Sequence, residues 1–304
     1  MNRPRIVVLG ATAVDVKAQS FDALVRAADV PGRVRVTLGG VARNTAKNLA
    51  LLGADVTIVS AVGGDEFGRM LRDDLARAGV HVHNLMTARG CRTATWAGVL
   101  DSRGDLDVGV FDGEIFEALS VQVIEERAQT IVNAGLIAID ATLPRATIDA
   151  IVRTAHAHRV PLYLNPASVA RAQTIADCVG KFTLVTANAL EAGVLTGHSI
   201  VSIDDAAGAA KSLIEHGVER AVVTLGAEGV LYADARETRH EPAQPARVVD
   251  TTGAGDALAA MFLLCHLQGC TLDETLERAL GAAALTVACE ESVSEEVGKA
   301  WTRN

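Results

Sequence analysis

Asp250-Thr251-Thr252-Gly253-Ala254-Gly255-Asp256, followed at once by the apolar run Ala257 to Leu264, is the stretch on which the reading of this chain turns. Val248 and Val249 read as the end of a strand and Ala257 onward as a buried helix, so the glycines fall in a strand-to-helix turn. Two glycines so close together let consecutive N–H groups converge, and the unpaired N–H groups and positive dipole end of the new helix point to the same place. The turn is predicted to hold an anion. Asp256 stands where the helix begins, which favours its ionised form, and a carboxylate beside an anion cradle can accept a proton from an attacking hydroxyl. Phosphoryl transfer asks for that pairing, because its loose transition state needs mainly positioned donors and a group that aims the nucleophile. The competing reading leaves Asp256 as a plain helix N-cap after a glycine turn.

Working outward, Ile6 to Leu9 is a continuous apolar strand that ends at Gly10-Ala11-Thr12, with Asp15 just beyond. Ligands of open α/β sheets lie off the carboxyl ends of strands, so Asp15 is a candidate for a substrate hydroxyl, against the alternative of a solvated loop acid. Arg33 to Leu38 alternates basic and apolar residues and reads as a half-exposed strand outside the main sheet. Gly39-Gly40-Val41-Ala42-Arg43-Asn44 then opens a helix that runs to about Leu52, with Gly53 as its stop. Asn44 in its first turn carries an amide able to hold a diol.

Gly63 to Phe67 spells a diguanylate-cyclase signature, but here it joins the buried strand Val56 to Ala61 to a helix, Arg69 to Ala78, and that function is rejected. Thr93 to Leu100 and Leu106 to Val110 read as a hairpin that joins Arg33 to Leu38 in a small sheet over the substrate. Beyond it strands and helices alternate: helix Val121 to Asn133, strand Leu136 to Asp140, helix Arg145 to His156, strand Pro161 to Asn165, helix Ser168 to Cys178 and strand Thr183 to Thr186. That alternation predicts an α/β fold with a doubly wound, mostly parallel sheet. Asn188 and Glu191, three residues apart at a helix start, could order the waters of Mg²⁺ or simply cap the helix. Strand Arg220 to Leu225 leads into Gly226-Ala227-Glu228-Gly229, a turn whose glycines admit nucleotide phosphates.

With 304 residues and 49% hydrophobic content the chain can bury a large core, read as one domain over 1–304 with lid strands from about 12–38 and 91–112. A formal net charge of −9 argues against a nucleic-acid surface and for small-molecule partners. Five cysteines without C-x-x-C spacing suggest no disulfide framework and a reducing, cytoplasmic setting. The first apolar run is too short for a signal peptide, and no stretch is long enough to span a membrane. A small exposed sheet with an apolar face tends to find a partner, so a homodimer is expected.

Taken in order, Gly39-Gly40 to Asn44, Val62 to Gly68, Asn188-Ala189-Leu190-Glu191 and Asp250 to Asp256 resemble the motifs of the ribokinase-like (PfkB) carbohydrate and nucleoside kinases over essentially the whole chain. The resemblance implies the ribokinase-like three-layer fold with a β-sheet lid and ATP-dependent phosphorylation of a primary hydroxyl. It implies Asp256 as base, Gly253, Ala254 and Gly255 as anion hole, and Asp15, Gly39, Gly40, Arg43 and Asn44 at the substrate. It further implies Asn188 and Glu191 near Mg²⁺ and phosphate, Asn188, Thr224, Gly226 and Gly229 near ATP, and a monovalent cation, K⁺, near Asp250 and Thr252. Within the family, the segment Gly39 to Gly53, with Arg43 before Asn44, is most similar to pseudouridine kinases, which implies the 5′-hydroxyl of pseudouridine as acceptor. The segments around Thr12, Asp112 and Ser168 are then expected near the base. The chain departs from that subgroup at Ala13, Gly113, Thr142, Asn165 and Arg171, so another nucleoside, a sugar, or a non-catalytic sensor role stays open.

Overall fold

Ile6, Val7, Val8 and Leu9 are apolar on both sides of their strand because helices cover both faces of the sheet they belong to. A computed structural model describes residues 3–301, and the domain expected over 1–304 is described within those bounds. The chain begins β1 (Arg5–Leu9), β2 (Ala13–Ser20), β3 (Gly32–Gly39), α1 (Val41–Leu51), β4 (Asp55–Val62), α2 (Glu66–Arg77), β5 (Leu85–Thr87), β6 (Thr95–Leu100) and β7 (Leu106–Asp112). It continues α3 (Val121–Glu126), α4 (Ala128–Val132), β8 (Leu136–Asp140), α5 (Arg145–His158), β9 (Leu162–Asn165), α6 (Val169–Ile175), β10 (Leu184–Asn188), α7 (Ala189–Thr196) and α8 (Ile203–Glu215). It closes β11 (Arg220–Thr224), β12 (Val230–Asp234), β13 (Thr238–Glu241), α9 (Ala254–Gln268), α10 (Leu272–Val287) and α11 (Glu296–Trp301).

The main sheet has nine strands in the order β13-β12-β11-β10-β9-β8-β1-β4-β5 and is parallel except for β12, which runs antiparallel to both β11 and β13. Alternate residues feed two cores. Leu9, Ile137, Leu164 and Val223 face α3 to α8, whereas Ile6, Val8, Leu184 and Val222 face α1, α2, α9 and α10. α9 is buried on every side from Asp256 to Cys265, as its unbroken apolar sequence requires.

The second sheet, β3-β2-β6-β7, is the lid. Its centre is β2, antiparallel to β3 and parallel to β6, so Asp15 lies in a strand within the stretch read as lid and is not the solvated loop acid of the alternative reading. Strand alternation gives the lid two unlike faces. Asp15, Lys17, Arg35, Thr37 and Trp96 share the inner one by register, and Val16, Val34, Val36, Val108 and Val110 share the outer.

Other expectations need correction. Residues 242–250 form no strand, so the glycine turn is entered from a coil whose amides at Val249 and Asp250 bond to the Val287 carbonyl. The helix expected over Val121 to Asn133 breaks at Arg127. Asp256 is not an N-cap: Gly253 is, in the left-handed region, and Asp256 is the third helical residue. The cyclase-like segment behaves as argued, with Asp65 capping α2 through the Gly68 amide. Among the described residues no helix is long and apolar enough to cross a membrane.

Candidate active site

Three carboxylates meet where the lid, α1 and α9 converge over the carboxyl ends of β1 and β8. The deepest, Asp140, ends β8 and accepts the backbone N–H groups of Ala11 at 2.8 Å, Ala42 at 3.1 Å and Thr142 at 3.0 Å, with the Thr142 hydroxyl as a fourth donor. It pins the end of β1 to the start of α1. Gly10 is required beside it, because a Cβ there would stand 2.2 Å from Asp140 Oδ2. The sequence marked the end of that strand and gave Asp140 no role.

Asp256 is 8% exposed. The Asn44 amide donates to its Oδ2 at 2.8 Å, and that of Asn165 approaches its Oδ1 at 3.5 Å. Burial pushes the Asp256 carboxyl up to about 7; the Asn44 hydrogen bond opposes this, and the charges of Asp140, Asp15 and Glu191 reinforce it. Arg43, expected at the substrate, is turned away and buried: it donates to Asn44 Oδ1 at 2.9 Å, the Leu38 carbonyl at 2.9 Å and Asp74 at 2.6 Å. Because Arg43 occupies the amide oxygen, the NH₂ of Asn44 must face Asp256.

The third carboxylate, Asp15, is raised to about 6, chiefly by burial, with Lys17 and Arg43 lowering it. Neither cation donates a hydrogen bond to it; their donors go to Asp250, Thr252, Leu38, Asn44 and Asp74. Gly39 makes its place, since a Cβ there would fall 2.3 Å from Asp15 Oδ2. At Gly40, φ is 93° and a Cβ would strike the Ala11 carbonyl at 2.5 Å.

The two glycines of the turn before α9 are constrained differently. A Cβ on Gly253 would lie 1.9 Å from the Ser292 carbonyl, whereas one on Gly255 would meet nothing within 4 Å. Gly255 borders open space. One cavity there is lined by Asn188, Glu191, Thr224, Gly253, Gly255 and Asp256. A second, of about 510 Å³, shares Thr224 and Gly255 with the first and runs past Gly226, Gly229 and Ala254 to the apolar side chains of Val248, Leu258, Leu280 and Val287. That size and lining suit a small molecule with an apolar ring.

Asn188 and Glu191 form a reciprocal capping box on α7, at 2.9 and 3.0 Å, as the bland reading of the pair required. Only one oxygen of Glu191, Oε2, is used, and burial raises its carboxyl. No group of three or more His, Cys, Asp or Glu able to hold a metal occurs among the described residues. One carboxylate beside a phosphate site still fits Mg²⁺, which binds through one or two carboxylates plus substrate oxygens and water.

Three expected base contacts do not reach these cavities. Thr12 is buried with its hydroxyl on Ser60 and the Ala61 carbonyl, Ser168 caps α6 through the Arg171 amide, and Asp112 is exposed at the end of β7. Two inner-face lid residues were missed. The Trp96 indole lies across Gly98 and Gly109, where added Cβ atoms would come within 2.2 and 3.1 Å of the ring. Lys17 donates to Asp250 Oδ2 at 2.5 Å and to Thr252 Oγ1 at 2.6 Å. The pair expected to hold a monovalent cation therefore already holds an ammonium group and, as arranged, does not fit K⁺. Reading residues 13–20 as an alternating strand would have put Lys17 on Asp15's side of the lid; Trp96 joins them only through the pairing of β2 with β6.

A family model described as pfkB family carbohydrate kinase matches residues 3–296. The chain belongs to the PfkB family. Pseudouridine kinase of Escherichia coli (strain K12) is 30% identical to this PfkB chain over 286 residues, covering 94% of it and 91% of that protein. Guanosine-inosine kinase of Exiguobacterium acetylicum is 28% identical over 290 residues, covering 95% and 96%. Ribokinase of Bacillus subtilis (strain 168) is 28% identical over 286 residues, covering 93% and 92%. In fold the PfkB chain matches the structure of Arabidopsis thaliana ribokinase complexed with ribose and ATP, with a TM-score of 0.85, 21% identity and full coverage of both chains. Kinases of this family are phosphotransferases, and the three-layer fold with its separate small sheet is theirs.

Proposed function

We propose that the protein is a nucleoside kinase that transfers the γ-phosphoryl group of ATP to the 5′-hydroxyl of pseudouridine. The observation that carries the kinase chemistry is Asp256, held by Asn44 at the mouth of the glycine turn. Asp15 and Asn44 hold the ribose hydroxyls and aim the 5′-oxygen. As that oxygen attacks the γ-phosphorus its proton passes to an Asp256 carboxylate oxygen, and the bond from phosphorus to the β–γ bridging oxygen breaks to leave ADP. The N–H groups of Gly253 and Gly255 face the charge that builds on the transferring group, and that of Ala254 joins them by giving up its long 3.4 Å bond to the Thr251 carbonyl. The nucleotide lies along the paired cavities, its phosphates by Asn188, Thr224 and Gly255 and its adenine against Leu258 and Val287. Mg²⁺, when bound, neutralises phosphate charge there, and Glu191 with Asn188 would hold it through water.

A nucleoside rather than a free sugar is favoured by Trp96, whose ring lies bedded on two glycines in the strand beside Asp15. An aromatic base stacked on it would gain about 1–3 kcal/mol. The pseudouridine kinase relative supports the choice of base. With Thr12, Asp112 and Ser168 turned elsewhere, the acceptor for the N1–H that pseudouridine has and uridine lacks falls to the lid. The outer face supports a homodimer: Val34 and Val110 are 67% and 65% exposed, and a second copy presents the same uncharged valine surface.

The test is a panel of pseudouridine, uridine, cytidine, guanosine, inosine, adenosine and ribose with ATP, run on wild type and Trp96→Ala. Pseudouridine is expected to have the highest kcat/KM, and Trp96→Ala to lower nucleoside kcat/KM by about 10-fold while sparing ribose. Ribose as the fastest acceptor would leave a sugar kinase; another nucleoside in first place would change the base pocket alone.

A further inference from the structure

The family resemblance places a monovalent cation beside Asp250 and Thr252, and the structure fills that place from the lid. Lys17 leaves β2 on the same face as Asp15 and ends 2.5 Å from Asp250 Oδ2 and 2.6 Å from Thr252 Oγ1. The other carboxylate oxygen, Oδ1, accepts the Thr252 amide at 2.9 Å. Lys17 and Asp250 have side chains only 12% and 19% exposed, so water screens this pair little. We propose that Lys17 supplies as a side chain the positive charge that a bound monovalent cation would otherwise supply, and that this enzyme turns over without K⁺.

Asp250 and Thr252 open the turn whose next residue, Gly253, starts α9 and seats against the Ser292 carbonyl. From behind, the turn is held by the Val287 carbonyl, which accepts the amides of Val249 at 2.7 Å and Asp250 at 3.2 Å. On the front, among the described residues, the turn has the Lys17 contacts and its own internal hydrogen bonds. An uncompensated carboxylate there would repel the phosphate that the same turn receives, so a positive partner is needed whatever its source. A diffusible ion must be bound at each encounter, whereas a lysine is always present. Lysine also ties the turn to the lid: the strand that carries Asp15 carries the group that neutralises Asp250. A second cation would have to displace the ammonium or sit against it, and like charges at contact disfavour that. The inference rests on the phosphotransferase reading of the site and not on which acceptor is used.

The test uses the full chain exchanged into choline chloride free of K⁺ and NH₄⁺, with KCl, NH₄Cl or NaCl added at constant ionic strength. Wild-type turnover of the best acceptor in the panel is expected to change by less than about 2-fold between salts, and its Tm not to depend on K⁺. Lys17→Met is expected to lose about 10²-fold in kcat in choline, to regain at least about 10-fold in KCl or NH₄Cl but not NaCl, and to gain thermal stability from K⁺. The thermal-shift arm contains no acceptor, so it stands even if pseudouridine proves not to be the substrate. Activation of the wild type by K⁺ of about 10-fold or more would overturn the proposal without any variant. So would a Lys17→Met protein with unchanged kcat, or one whose only defect is a raised acceptor KM with no response to K⁺, which would make Lys17 an acceptor ligand.

Discussion

The two sheets of this molecule obey opposite rules. In the main sheet both faces are covered, and strands such as β1 and β8 read as unbroken apolar runs. The lid has no cover of its own: β7 is exposed along its whole length, one face carries Asp15, Lys17 and Trp96, and the other carries valines. The main sheet fixes Asp140 and, through α9, Asp256 in a frame that cannot relax. On the proposed function the lid brings the residues that meet the acceptor, and a four-stranded sheet with so little cover of its own depends for stability on what it packs against. On that proposal the base sits on a helix packed against the covered sheet, and recognition sits on the sheet that solvent reaches.

The sharpest way to break that division is Asp256→Ala, which is expected to lower kcat by about 10²-fold or more while ATP binding, followed by fluorescence titration, is retained. Near wild-type turnover would remove Asp256 from the chemistry. Next is Asp140→Ala, which strands the amides of Ala11, Ala42 and Thr142 in the core and should cost about 3 kcal/mol of stability by urea denaturation. A loss near zero would mean that Asp140 does not tie the frame together.

Titration probes both sheets at once, because burial raises Asp15 on the lid and Asp256 on α9. Asp256 at about 7 and Asp15 at about 6 lie above their ordinary 3.8, so between these values the folded protein binds more protons than the unfolded chain. Their contribution is fully present below pH 3.8 and is lost as pH rises through 6 and 7. Asp256→Asn should therefore stabilise the protein at pH 8 by about 1–2 kcal/mol and much less at pH 4, with the altered Asn44 contact offsetting part of the gain. In wild type, kcat/KM should rise with pH through an apparent pKa near 7, since the base must be ionised. The smallest expected effect is on the outer lid face. Val36→Glu with Val110→Glu should shift stability by no more than about 0.5 kcal/mol per site yet turn a dimer into a monomer by light scattering. If wild type is already monomeric at micromolar concentration and fully active, the outer face has no such partner.

Legibility followed the same boundary. Continuous apolar runs and glycine turns made the covered sheet readable, so the strands at Ile6 to Leu9 and Leu136 to Asp140 and the helix after Asp256 all lie where sequence placed them. Near the lid the signal weakened. Ala13–Ser20 alternates small, acidic, basic and polar residues whose partners lie in β3 and β6, and pairing at that distance is invisible to a local pattern. That is why Lys17 and Trp96 were missed. Arg43 was misplaced for a related reason: its partner Asp74 lies on α2, and sequence spacing says nothing about where a long side chain will turn. Val248 and Val249 mimic a strand, yet the Val249 amide bonds to the Val287 carbonyl at the end of α10 and not to a strand.

The unequal glycines of the turn bear on how such a protein could change its trade. Gly253 answers to folding, because any side chain there meets the Ser292 carbonyl, so a gene that loses it loses the protein. Gly255 answers only to the ligand. A methyl group at that position meets nothing and sits in the first turn of a helix, where alanine is welcome, so on the proposed function a duplicated copy drifting at this one codon would still make a stable receptor with its catalytic cradle filled. In this architecture the step from enzyme to sensor is one carbon atom long, and selection for solubility alone would not oppose it.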